Sequence, residues 1–212
     1  MNKLFNFDKK EKENFDFLIG TDEAGRGPGA GPVFAAAVCF TSLDKALIKT
    51  LDKLNDSKQL TEKQREEAYL IIKEHALAWA VAEVSPQEID QINILNASRK
   101  AMILAMEKLN HEYDMILTDA VKMKTDKPFE AIIHGDAKAM CIAAASIMAK
   151  VTRDHICYEL DKKYPEYKIA KHKGYGTKLH MEILKKLGPI KEIYRYSYAP
   201  IKQLFIEKIN LF

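Results

Sequence analysis

Residues 15–40, FDFLIGTDEAGRGPGAGPVFAAAVCF, decide how the 212-residue chain is read. Phe15 to Asp22 alternates and clusters apolar residues as a strand does, and Val33 to Phe40 is a second apolar run. Between them Ala24 to Pro32 is rich in glycine, the turn residue that tolerates conformations closed to other side chains. Strand, turn, strand reads as a hairpin. Three consecutive alanines, Ala35 to Ala37, predict that something packs very close to the second strand. Asp22 and Glu23 close the first strand. Neighbours on a regular strand point to opposite faces, so both acids serve one site only if the strand ends there, and Gly25 and Gly27 supply that ending. The loop Gly25-Arg26-Gly27-Pro28-Gly29-Ala30-Gly31-Pro32 has two readings, an ordinary hairpin loop or a backbone able to approach a phosphate or sugar. It lacks the Lys and Ser/Thr of a Walker A loop, so ATP binding has no support.

Outward from the hairpin, residues 1–14 are polar and charged and predict a loose start. Thr61-Glu62-Lys63-Gln64 resembles a capping box that opens a helix. Leu77 to Val84 predicts a strand, and Ser85-Pro86 a short helix with proline in its first turn. Ile94 to Leu109 has apolar residues at helical spacing. Tyr113 to Thr118 reads as a buried strand ending at Asp119, and Ala131 to His134 as a short strand ending at Gly135-Asp136. A long helix from Ala137 to about Leu160 presents small residues, Ala143 to Ser146 and Ala149, that allow close backbone approach. Leu179 to Leu187 is helical up to Gly188-Pro189, and the tail after Pro200 is short and amphipathic. Strands early, then mixed strands and helices, predict an α/β fold with a central sheet and a mostly helical C-terminal half.

The length suits one domain over 1–212. With 47% hydrophobic and 30% charged residues the chain is neither disordered nor fibrous. No apolar run reaches the roughly 18 residues of a membrane span, and the first residues lack the pattern of a secretory signal, so the expected location is the cytoplasm. Cys39, Cys141 and Cys157 form no C-x-x-C pair. Cys141 and Cys157 sit on one predicted helix about 24 Å apart, too far for a bridge. The net charge of +3 is uninformative, but Lys168 to Lys202 holds nine Lys or Arg against two Glu. That basic helical part, about 165–212, reads as a phosphate-facing surface or as a solvated face. Within it Lys171-His172-Lys173-Gly174-Tyr175-Gly176-Thr177-Lys178 interleaves cations with a tyrosine between glycines, which suits phosphate contact and stacking on a sugar or base, or else a plain basic loop. His172 and His180 have no cysteine partners, against a zinc site.

Four acids stand at element ends: Asp22, Glu23, Asp119 and Asp136. Phosphodiester hydrolysis must activate a poor nucleophile and stabilise a charged leaving oxygen on an anionic substrate. Two divalent cations about 4 Å apart meet that need, and Mg²⁺ favours carboxylate and water oxygens. Singly, Asp136 also reads as the N-cap of the long helix and Asp119 as a turn residue. Two rival functions are an exonuclease using four acids, whose opening Asp-x-Glu spacing is absent here, and a non-catalytic nucleic-acid-binding module, which leaves the acids without a role.

The run Gly20-Thr-Asp22-Glu23-Ala-Gly-Arg26-Gly-Pro-Gly-Ala-Gly-Pro32 resembles the first motif of ribonuclease HII, the type 2 ribonucleases H. So does His134-Gly-Asp136-Ala-Lys-Ala-Met-Cys-Ile-Ala-Ala-Ala-Ser-Ile-Met-Ala-Lys-Val-Thr-Arg-Asp154. Asp56-Ser57-Lys58 and His172-Lys-Gly-Tyr175-Gly-Thr177 look like family motifs too, and the matches run in order from about residue 17 to residue 200. The resemblance implies an RNase H-like central mixed sheet flanked by helices, with a helical C-terminal part. It implies hydrolysis of RNA–DNA hybrids and ribonucleotide-containing duplex DNA with two Mg²⁺ or Mn²⁺ ions, leaving 3′-hydroxyl and 5′-phosphate ends. Asp22, Glu23, Asp119 and Asp136 fall on the family's metal-binding acids, and Gly25, Arg26 and Gly27 on the motif that reads ribose 2′-hydroxyls. Tyr175 falls on the tyrosine that stacks on the following deoxyribose. Ser57, Lys58 and Lys173 are expected to meet the nucleic-acid backbone. The chain departs from the family pattern near its C-terminus, where Tyr194-Arg195-Tyr196-Ser197-Tyr198 replaces a His-Arg pair followed by Ser-Phe, and at Gly29, where a larger residue is common. The related ribonuclease HIII carries a lysine where Arg26 stands. The tail Gln203 to Phe212 matches a sliding-clamp peptide poorly and reads as a packing helix, so a monomer without an obligate protein partner is expected.

Overall fold

The structure, a computed structural model, describes residues 3–11, 14–40 and 60–209. The hairpin forms as read. Strand β1 (Leu18–Ala24) pairs antiparallel with β2 (Val33–Cys39), placing Gly20 opposite Val38 and Asp22 opposite Ala36. Strand β3 (Ala78–Val84) extends the antiparallel part beyond β2, while β4 (Met115–Asp119) and β5 (Phe129–Ile132) add parallel strands beyond β1. The order β3-β2-β1-β4-β5 is a mixed sheet whose central strand carries the first two acids.

Helices cover both faces: α1 (Lys3–Glu11), α2 (Glu62–His75), α3 (Pro86–Ile92), α4 (Ile94–Glu107), α5 (Met140–Lys163), α6 (Ile169–His172), α7 (Lys178–Leu187) and α8 (Ala199–Ile209). The alternation of β1 and β2 divides their side chains between two layers. Leu18, Ala36 and Val38 face α5, whereas Ile19, Ala37 and Cys39 pack with Ala105 and Met106 of α4. Met140 to Ala149 of α5 are all buried, so this half of the helix is a core element and needs no amphipathic stripe. The alanines on both sides are the close packing that the sequence predicts. At Gly20 there is no room for even a methyl group: a Cβ would stand 2.2 Å from the carbonyl carbon of Cys141.

Local signals act as written. The side chain of Thr61 accepts from Gln64 N and Gln64 reciprocates, completing the capping box of α2. Ser85 caps α3 with Pro86 in its first turn. Ile201 and Leu204 of α8 join a C-terminal cluster with Tyr167, Leu184 and Tyr194, as expected for a packing helix. Among the described residues no helix is long and apolar enough to cross a membrane.

Two expectations are corrected. The segment read as a loose start contains α1, and its Asp8 is only 2% exposed. Asp8 Oδ1 accepts from Met140 N and Oδ2 from Cys141 N, both at 2.9 Å. It thus satisfies two of the orphan donors that open α5, where the helix dipole favours negative charge. Asp136, the local candidate for that role, lies instead in a 3₁₀ turn, Gly135–Ala137, and α5 begins four residues after Asp136. The cap comes from 132 residues away, beyond the reach of any local pattern. Asp8→Ala is expected to cost about 1–2 kcal/mol, lowering Tm by about 2–4 °C per kcal/mol for a chain of this size. Thermal unfolding checks this, and an unchanged Tm would show the cap to be dispensable.

Candidate active site

Strands β1 and β4 run parallel with Thr21 beside Thr118, so Asp22 and Asp119 stand side by side at the next position. Strand alternation turns both toward α5, the side of Leu18 and Leu117. Asp119 Oδ1 accepts from Gly135 N at 2.8 Å, which hooks the 3₁₀ turn and its buried Asp136 onto the end of β4. Glu23 N donates to Asp22 Oδ1 at 2.8 Å, and Glu23 Oε1 accepts from Arg26 Nη1 at 3.2 Å. The strand continues to Ala24, so the two neighbours reach one site through these contacts and not through an early strand end.

The electrostatics are those of a desolvated anionic cluster. Burial, reinforced by the negative charge of Glu23 and Asp119, pushes the Asp22 carboxyl up to about 7. The Ser146 hydroxyl and the Lys150 ammonium, both on α5, oppose that rise. Burial also raises Glu23, against the pull of Arg26. Lys150 Nζ donates to Ser146 Oγ at 2.8 Å, so the two act on Asp22 as a linked pair. Glu23 Oε2 is buried without a hydrogen-bond partner. Among the described residues no three His, Cys, Asp or Glu side chains stand ready-made around an ion. The donor set nonetheless fits a hard divalent cation: it is all oxygen, sits in a low-dielectric place, and includes one unsatisfied carboxylate oxygen.

A cleft of about 460 Å³ opens beside the cluster, lined among others by Glu23, Gly25, Arg26, Gly27, Lys150, Arg153 and Tyr175. Gly25 turns the chain there with φ +97°, and a Cβ on it would meet Arg153 Nε at 2.6 Å. Arg153 is 5% exposed; its Nη2 donates to Lys173 O at 2.6 Å and Ala30 O at 3.4 Å, and its guanidinium lies 5.8 Å from the Tyr175 ring centre. Tyr175 is half exposed over Gly27. Lys173 lines the cleft, but its Nζ is buried 3.4 Å from the Tyr158 ring centre, a cation–π contact. Ser57 and Lys58 lie outside the described residues.

His172 and His180 stack at 3.9 Å beneath this loop. Gly174 N donates to His172 Nδ1, while His180 contacts Tyr175 O through Nδ1 and Tyr194 Oη through Nε2. Burial lowers both, His180 to about 4, so at neutral pH they are uncharged struts that fix Tyr175. Tyr194, which stands where the family pattern has histidine, and the adjoining Arg195 are fully buried. Reading the sequence for acids misses Ser146, Lys150 and Arg153. Their spacing, with Asp154, is i, i+4, i+7 and i+8 along one helix, and that periodicity is the signal that identifies the face turned to the cleft.

The family model described as Ribonuclease HII matches residues 19–201. A Ribonuclease HII from Francisella philomiragia is 50% identical over 188 residues, covering 88% of this chain and 98% of that one. Among solved structures, the ribonuclease H2 from Pyrococcus horikoshii superposes with a TM-score of 0.75 at 27% identity, covering 90% of this chain and 98% of that one. A Bst-RNase HIII in complex with Mn²⁺ shares the fold at 17% identity, with a TM-score of 0.71 over 90% of this chain and 70% of its own.

Because its folded pKa is raised above the unfolded value, Asp22 favours the metal-free fold below about pH 4 and loses that contribution as pH climbs through about 7. Asp22→Asn is therefore expected to raise Tm at pH 8 in EDTA, on the order of a few degrees. Added Mg²⁺ or Mn²⁺ is expected to raise the wild-type Tm more at pH 8 than at pH 5. Differential scanning calorimetry decides it: a lower Tm for the variant contradicts the charge repulsion.

Proposed function

Since the chain belongs to the ribonuclease HII family and is thereby an endoribonuclease, we propose that it hydrolyses the RNA strand of RNA–DNA hybrids and incises duplex DNA on the 5′ side of embedded ribonucleotides. The products are 3′-hydroxyl and 5′-phosphate ends. The observation that carries this reading is the side-by-side placement of Asp22 and Asp119 just past the last paired residues of parallel β1 and β4, in a desolvated place beside the Gly25-Arg26-Gly27 loop. Hydrolysis of a phosphodiester calls for concentrated negative charge that divalent cations neutralise, next to a surface that recognises sugar.

Asp22, Glu23, Asp119 and Asp136 would together hold the divalent ions, Asp22 from the centre of the cluster. Mg²⁺ or Mn²⁺ bound there supplies Lewis acidity at the scissile phosphate; the Mn²⁺ in the Bst-RNase HIII structure supports that choice of metal. Ser146 and Lys150 favour the ionised form of Asp22 against the burial that raises its pKa. The backbone of Gly25, Arg26 and Gly27 approaches the ribose, whose 2′-hydroxyl separates RNA from DNA. Tyr175, exposed at the rim, stacks on the following sugar. Ser57, Lys58 and the basic stretch from Lys168 to Lys202 serve the phosphodiester backbone, whereas the Lys173 ammonium, expected to do the same, is buried against the Tyr158 ring. A cytoplasmic setting suits the three buried thiols, Cys39, Cys141 and Cys157, none of them in a disulfide.

The direct test is a DNA duplex holding one ribonucleotide, with Mg²⁺ and Mn²⁺ compared, alongside a labelled hybrid with blocked ends. Internal cuts are expected on both, and cutting only from unblocked ends would favour an exonuclease. Asp119→Asn keeps an oxygen for Gly135 N but removes a negative charge from the cluster. Its turnover should fall roughly 100- to 1,000-fold, the scale of losing one charge-stabilising group, while Tm and duplex binding hold. Unchanged turnover would refute the cluster.

A further inference from the structure

The Gly25-Arg26-Gly27 loop is held from behind by the segment that departs from the family pattern. Arg195 is a fully buried cation, and burial pulls its pKa down. Its backbone N donates to Gly29 O at 2.9 Å, its Nε to Gly31 O at 2.9 Å and its Nη1 to Arg26 O at 3.3 Å. Tyr198 stands three residues on, across a turn closed by its N donating to Arg195 O at 3.2 Å. Its hydroxyl accepts from Arg195 Nη1 at 2.9 Å and donates to Arg26 O at 2.5 Å. The Arg26 carbonyl therefore receives two donors from the C-terminal segment. The shorter of these bonds comes from an oxygen that phenylalanine, the residue of the family pattern, would lack.

In a trans peptide the C=O and the following N–H point in opposite directions. Fixing the Arg26 carbonyl against Tyr198 and Arg195 fixes the Gly27 N–H on the other side of the same plane. Gly27 lines the cleft, and the Tyr175 ring lies over it. We propose that Tyr198, through its hydroxyl and its bond to Arg195, is a positioning residue that holds the Arg26–Gly27 peptide with its N–H turned into the cleft, and so sharpens recognition of a ribose over a deoxyribose. It is not a catalytic residue, since its hydroxyl bonds only to Arg26 O and Arg195. The inference rests on the reading of this loop as the ribose-recognising element.

Tyr198→Phe removes the hydroxyl and keeps the ring beside the Arg195 guanidinium, 5.2 Å away. Two readouts test the idea. The first is the affinity of the full chain, in Ca²⁺, for a DNA duplex with one ribonucleotide against the same duplex made wholly of DNA. The ratio of the two affinities should fall roughly three- to tenfold, the scale of one hydrogen bond of ordinary net strength, with all-DNA affinity unchanged. An unchanged ratio, or equal loss on both duplexes, overturns the proposal. The second is amide hydrogen exchange at Gly27 in the protein without nucleic acid, which should accelerate about tenfold in the variant while the amides of β1 keep their wild-type rates. Unchanged exchange at Gly27 overturns the positioning. If wild-type protein fails to discriminate ribose yet Gly27 exchange accelerates as stated, the reading of the loop's function has failed and the proposed ribose selectivity falls with it, while the mechanical hold of Tyr198 on the peptide stands.

Discussion

At Gly20 helix α5 lies against the central strand with no side chain between them. The space a Cβ would need on Gly20 is already filled by the Cys141 carbonyl and the Ile142 nitrogen, at 2.2 and 2.3 Å. The alanines of β2 and of α5 continue the same close seat on either side. Because the helix rests directly on backbone, its height above the sheet and its position along the strand are fixed together. Two residues beyond Gly20 is Asp22, and roughly a turn beyond Cys141 is Ser146. The hydroxyl that opposes the rise of the buried carboxyl is therefore delivered by packing. A larger residue at position 20 would tilt or lift the helix and take Ser146 and Lys150 away from the acid they serve.

The site joins two scaffolds of different character. The sheet supplies charge at strand ends, where alternation and register leave little freedom to Asp22 and Asp119. The C-terminal part supplies shape through loops that have no ladder of their own. Those loops are held by buried arginines acting as multi-donor brackets on carbonyls: Arg153 on Ala30 and Lys173, Arg195 on Gly31 and Arg26. Guanidinium suits this work because its donors fan out in a fixed plane and it keeps its charge even when buried. Its burial is costly unless those donors are used. Desolvated like-charged acids and loosely paired buried cations make this the electrostatically strained corner of a molecule whose remaining core is conventional.

Much of this was legible in the chain. The hairpin, the capping box at Thr61, the proline-led helix after Ser85 and the strand ending at Asp119 are local devices, and each formed within a few residues of its reading. The acids could be singled out because element ends are where α/β folds place chemistry. What escaped was non-local. A cap supplied by Asp8 to a helix beginning at Met140 leaves no trace in either neighbourhood, and Asp136, the acid that local reading offers for that role, lies in the 3₁₀ turn before the helix. Lys150 and Arg153 were hidden in a helix that reads as core, because the half that precedes them is buried all round. The histidines at 172 and 180 have the residue type of metal ligands, and only their stacking and neutral hydrogen bonding reveal them as struts. Tyr198 looked like a simple departure, since the partner of its hydroxyl is a carbonyl at the other end of the chain.

The bond between Asp8 and the start of α5 also bears on how the polypeptide assembles. During synthesis the carboxylate leaves the ribosome well before the amides it will cap, and in the interval α1 has no helix end to close. The central sheet is equally delayed, because β1 waits for β4 before it gains its second neighbour. Contacts that link distant parts of a sequence slow folding, and those that build the acid cluster are of that kind. Nascent chains halted before residue 140 would thus expose the apolar face of β1 and β2 that α5 later covers, which makes them natural clients for chaperones.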